Sequence, residues 1–164
     1  MSLEPKWVGF VIPVGASFVA FPGIDGFRYS RTKDAWNFFL PPEKILLNND
    51  WNVQGNGVIK RPSSTGSSVI KMHVKMDAQS QGTTTHKFRL VLGVTASSGG
   101  GQQVIAEQNF GEVASGDYMH VDLEAFITRD NVTEVQFRFY FQGAAGAPET
   151  PLNPYWLTEV IELG

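Results

Sequence analysis

The chain has no cysteine, which excludes disulfides, thiolate nucleophiles, zinc–thiolate centres and iron–sulfur clusters. Charge is sparse: 13 Lys and Arg with 16 Asp and Glu make up 18% of the 164 residues, against about 25% in an ordinary soluble domain. The formal net charge of −3 is too small and of the wrong sign for a protein that neutralises phosphates, so no nucleic-acid partner is expected. Long apolar runs are missing as well. The uncharged stretch 8–24 is broken by Gly9, Pro13, Gly15 and Pro22 and falls short of the roughly 18–20 continuous apolar residues of a spanning helix. No membrane partner is expected. Only Lys6 is basic ahead of that stretch and Glu4 offsets it, so it reads as two extended pieces, 7–12 and 17–21, rather than as a cleavable leader. No amphipathic helix longer than a turn or two is visible, the best candidate being 42–47, with Pro42 early in the turn.

What is present is β patterning. In 69–77, Ile70, Met72, Val74 and Met76 alternate with Lys71, His73, Lys75 and Asp77, as a strand with one wet face requires. The same period gives Phe88, Leu90, Leu92 and Val94 in 87–94, and Met119, Val121, Leu123 and Ala125 in 118–125. It recurs with Val135, Phe137, Phe139 and Phe141, which alternate with Glu134, Gln136, Arg138, Tyr140 and Gln142. Weaker strands are expected at 52–60, 104–110 and 155–163. The connections are rich in Gly, Ser and Pro, and the chain holds 17 Gly and 9 Pro. Closely spaced strands without helical crossovers predict an all-β fold. The expected form is a two-sheet antiparallel jelly-roll or Greek-key sandwich of about seven to nine strands with an extended N-terminal arm. Residues 1–40 are expected to form the apolar arm and first strands and 41–164 the sandwich, within one domain.

Reactive constellations are weak. His120-Val121-Asp122 has the spacing of a metal-binding His-x-Asp pair, but no histidine follows it to complete a facial triad. Gly15-Ala16-Ser17-Phe18-Val19 lacks the last glycine of a nucleophile elbow. Gly99-Gly100-Gly101 has no following lysine and so is not a phosphate loop. No catalytic residue, metal ligand or cofactor is assigned, and the chain is expected not to be an enzyme. His73, between Lys71 and Lys75, is expected to have a lowered proton affinity.

Two features point to adhesion. Aromatic residues fall near strand ends or in loops, and Trp36, Trp51, Tyr155 and Trp156 are the candidates to stack on sugar rings. Charge is also divided: 11 of the basic residues lie in 1–89 and 10 of the acidic ones in 90–164, which implies complementary faces within or between subunits.

Ile12-Pro13-Val14-Gly15-Ala16-Ser17-Phe18-Val19-Ala20-Phe21-Pro22-Gly23 resembles the Pro-x-Gly-apolar-aromatic openings of tailed-bacteriophage fibre and collar proteins. The remaining alternating strands, Gly/Ser loops and closing strand resemble the trimeric jelly-roll modules that phages use as capsid decorations and tail tips. The Gly-Trp and Cys elements of such collar openings do not occur here. The resemblance implies a non-enzymatic virion protein, a homotrimer that binds the major capsid protein or another virion protein. Trp7, Phe10, Ile12, Phe18 and Phe21 are its expected subunit or shell contacts. The alternative is a carbohydrate-binding module or the receptor-binding tip of a tail fibre, with a glycan as partner.

Overall fold

The computed structural model describes residues 15–20, 32–38, 44–54, 57–62, 69–94, 101–128, 132–142, 148 and 157–163. Among them run eleven strands: β1 (Ser17–Ala20), β2 (Trp36–Phe38), β3 (Lys44–Leu47), β4 (Asn52–Val53), β5 (Val58–Lys60), β6 (Val69–Gln79), β7 (Thr84–Val94), β8 (Gln102–Val113), β9 (Tyr118–Ile127), β10 (Val132–Gln142) and β11 (Leu157–Leu163). Sheet A has the order β1-β3-β11-β6-β9 and sheet B the order β4-β5-β10-β7-β8. Pairing is antiparallel except between β3 and β11, which run parallel. The molecule is thus an all-β sandwich of two packed sheets.

The alternating residues face inward as their period requires. Met72, Val74, Phe88, Leu90, Phe137 and Phe139 are wholly buried between the sheets, with Met119, Val121 and Leu123 of β9 closing one flank. The segment 42–47, expected as a helical turn, instead contributes β3. Ile45, Leu46 and Leu47 are all buried, and a run apolar on both faces suits a strand flanked by two others better than a helix with one wet side. The expected strand 52–60 is two short ones, β4 and β5. Gln54 N–H donates to the Val58 carbonyl and Gly57 N–H to that of Gln54, which folds the pair into a hairpin. The count therefore exceeds seven to nine through short pieces at the edges.

Strand β10 pairs with β7 along one side, while its other side takes β5 at Glu134–Gln136 and β2 at Arg138–Tyr140, end to end. Gly57 makes that junction possible. Its φ is +92°, and a Cβ there would lie 2.7 Å from the Cβ of Phe38. Both β1 and β2 are built into the sheets, so strand pairing already begins within residues 1–40.

The flank where β8 and β9 meet carries its own cap. The Gln108 side chain accepts from Asp122 N–H at 3.0 Å and donates to the His120 carbonyl at 3.0 Å, taking the place of a strand along the outer edge of β9. Replacing Gln108 with Ala is expected to lower stability by about 1 kcal/mol and to speed aggregation through the uncovered edge. Urea midpoints and time-resolved light scattering test this. An unchanged midpoint with no growth in scattering would show that water caps the edge equally well.

Candidate functional site

At one pole, the ends of β1 and β3 in sheet A meet the ends of β4 and β5 in sheet B around a concavity of about 600 Å³. Its rim is the turn Asn48-Asn49-Asp50-Trp51, where Trp51 N–H donates to the Asn48 carbonyl. Asn49 and Asp50 have φ values of 51° and 60°, a left-handed conformation that Asn and Asp adopt more readily than other side chains.

Glu162 of β11 ties the rim together. Its backbone N–H donates to Asn48 Oδ1 at 2.8 Å, and Asn48 Nδ2 donates back to its carbonyl at 2.9 Å. One carboxylate oxygen accepts from Asn49 Nδ2 at 2.9 Å and the other from Arg61 Nε at 2.6 Å. The Arg61–Glu162 pair is nearly buried, with side-chain exposures of 3% and 13%. This network fixes the turn and the end of β5. Asp50, Asn52 and Lys60 also line the concavity, and their side chains are solvent-facing.

A second grouping lies on the outer face of sheet B, where the register brings Trp36, Phe38, Lys87, Arg89, Arg138 and Tyr140 to one side. The Arg89 guanidinium sits 3.8 Å from the Trp36 ring, Arg138 lies 4.5 Å from that of Phe38 and Lys87 5.6 Å from that of Tyr140. Such cation–ring contacts are attractive where partly desolvated. Arg89 also pairs with Glu107 at 2.6 Å. Burial lowers the Arg138 proton affinity and the facing Arg89 adds to that effect, while Glu134 opposes it.

The outer face of sheet A carries the histidines and carboxylates flagged in the sequence. His120 pairs with Asp77, and His73 Nε2 lies 2.9 Å from Asp122, so the His-x-Asp residues each take a partner on β6. Among the described residues no three His, Asp or Glu side chains gather to hold a metal. His73 corrects the sequence expectation: its pKa is raised. Burial pulls it down, but hydrogen bonds to Glu159 and Asp122 and the charges of Asp122 and Glu124 outweigh that pull. The carboxylates come from β9 and β11 and are invisible in the local sequence. Burial likewise pushes Glu159 up, yet His73 and Lys71 hold it below the usual carboxylate range.

Part of the divided charge is paired within the subunit, among the described residues. Arg61–Glu162, Lys71–Glu159, His73–Asp122 and Arg89–Glu107 each join a basic group from the first half to a carboxylate from the second.

Of the proposed stacking residues, Trp51 is 4% exposed and part of the core, so it offers no face to a sugar ring; a large aromatic at the mouth of the sandwich gains more from burial than from exposure. Trp36 is half-buried, with Arg89 over one ring face and Tyr140 at 5.4 Å. Tyr155 and Trp156 lie outside the described residues, as do Trp7, Phe10, Ile12 and Phe21. The backbone of Phe18 pairs with Leu46 in sheet A. The concavity itself was missed in the sequence. Three consecutive Asx residues, Asn48-Asn49-Asp50, were its only local signal.

Comparison with family models, curated proteins and solved structures finds no match to this chain.

Proposed function

We propose that this chain is a non-enzymatic structural protein of a bacteriophage virion, a capsid decoration that assembles as a trimer and binds the shell. The observation that carries the reading is the apolar surface left at the rim of the sandwich. Phe126 is 58% exposed, Tyr118 55%, Val104 50% and Leu163 42%. Phe126 and Leu163 stand on either side of β6, whose Lys71 and Val69 are their respective partners in register. Single exposed apolar residues are ordinary, but a pair flanking one strand favours burial against a neighbour. The two-sheet β-sandwich is compatible with a jelly-roll module, and the resemblance of the opening segment supplies the virion context.

Multi-angle light scattering of the full chain tests the assembly. The expected result is a mass three times that of the 18.1 kDa chain, reduced to one chain by a Phe126→Asp, Leu163→Asp double variant. A monomer at all concentrations would overturn the trimer. Deleting residues 1–14 leaves β1 in place and tests the arm: particle attachment is expected to fall, and undiminished attachment would remove the arm from the contact.

The second reading, a carbohydrate-binding module, is favoured by the polar concavity at the pole.

A further inference from the structure

The geometry points to the pole concavity as a site for a short neutral saccharide, recognised through adjacent hydroxyls by Asp50, Asn52 and Lys60. This assignment rests on the carbohydrate-binding reading and gives it a location and a ligand class. The volume of about 600 Å³ lies within the roughly 300–1,000 Å³ of small-molecule sites. Its polar lining suits hydroxyls, which both donate and accept: Asp50 only accepts, Lys60 only donates and Asn52 does both. No hydrogen bond or ion pair among the described residues engages these three side chains. Asp50 and Lys60 offset one another, and Arg61 is already neutralised by Glu162. Among the described lining residues no net charge is left to select an ionic ligand.

Two further features favour a sugar. Exposed Pro62 contributes apolar surface to the same lining, over a floor of buried Leu47 and Trp51, which suits a C–H edge of a pyranose. The rim is also held before any ligand arrives, because Asn48, Asn49 and Arg61 are all anchored on Glu162. Fixing the turn next to Asp50 and Asn52 in advance reduces the ordering cost of binding. The stacking face of an aromatic, usual in sugar recognition, is not needed here; the side chains act through directed hydrogen bonds.

The test is an NMR titration of the uniformly nitrogen-15-labelled full chain with glucose, galactose, mannose, N-acetylglucosamine and their disaccharides, with glucuronate as the charged comparison. The Trp51 indole N–H, buried and without a hydrogen-bond partner among the described residues, is the reporter on the floor of the site. The expected result is a saturable shift of that resonance and of the Asn52 amide with at least one neutral saccharide. Affinity is expected to fall about tenfold or more in Asp50→Asn and in Asn52→Ala, as loss of a ligand-directed hydrogen bond implies, and to be unchanged in Trp36→Ala. Asn tolerates the left-handed backbone at position 50, so Asp50→Asn is expected to keep the wild-type melting temperature. Saccharide binding that is lost in Trp36→Ala and kept in Asp50→Asn would overturn this site and leave the carbohydrate reading standing. Absence of a saturable shift with every neutral saccharide would overturn both, and tighter binding of glucuronate would overturn the assignment of a neutral ligand.

Discussion

Replacing Phe139 with Ala is expected to remove about 3–5 kcal/mol of stability, the range for deleting a buried aromatic ring. Phe139 is wholly buried at the centre of β10. Its ring lies 6.5 Å from that of Phe88 across the strand pair and stacks at 6.2 Å on that of Phe141. The cavity would open between two rings held by their own strands, so the walls have little freedom to collapse. Thermal midpoints are expected to drop by on the order of 10 °C for a chain of this size. Phe139→Leu, which keeps most of the volume, is expected to lose only about 1–2 kcal/mol. Denaturant unfolding of the two variants checks the difference. Equal losses would show that ring contacts, rather than filled volume, dominate at this position.

The second large effect is acid sensitivity from His86. This side chain is wholly buried, and burial lowers its pKa from 6.5 to about 4. Its Nε2 lies 2.9 Å from the buried Ser80 hydroxyl, which itself donates to the Gly82 carbonyl. The imidazole therefore donates through Nε2, and Nδ1 has no hydrogen-bond partner among the described residues. A second proton would sit on Nδ1 facing no acceptor. The unfolded chain takes up that proton near pH 6.5 and the folded chain only near pH 4, so stability falls as pH drops through this window. The loss at full protonation is about 3 kcal/mol. His73 acts in the opposite sense: its raised pKa stabilises the fold at low pH, and that contribution disappears as pH rises through the folded value.

The two histidines are separated by comparing wild type with His86→Gln, in which a side-chain amide donates to Ser80 without titrating. Stability of the variant is expected to fall less between pH 6.5 and pH 4, by about the 3 kcal/mol assigned to the buried ring. The measurement is urea unfolding across that range. Parallel pH profiles in the two proteins would show that His86 is not the group responsible.

The long strands were readable from sequence because their period survives over eight or nine residues, and most members of the inward sets from Ile70 to Phe141 have polar neighbours. The short ones were not. Trp36-Asn37-Phe38 and Ile45-Leu46-Leu47 are too brief to show a period, and their state is set by β10 for the first and by β1 and β11, on either side, for the second. Site geometry was still less accessible, since Asn48 and Glu162 are 114 residues apart and nothing near either one foretells the other. The sign of the His73 shift was misread for the same reason: its nearest charges in sequence are lysines, but its nearest charges in space are carboxylates.

The position of β11 bears on how the protein is made. It lies between β3 and β6, so this strand, latest in sequence among the described ones, must emerge from the ribosome before the two parts of sheet A can join. Until then β3 has only β1 beside it in sheet A, and closing a loop of more than 100 residues from Leu46 to Glu159 carries an entropic penalty that slows the final step. During synthesis the nascent chain exposes two open sheet margins, a period in which a chaperone or a neighbouring nascent copy has its best opportunity to bind.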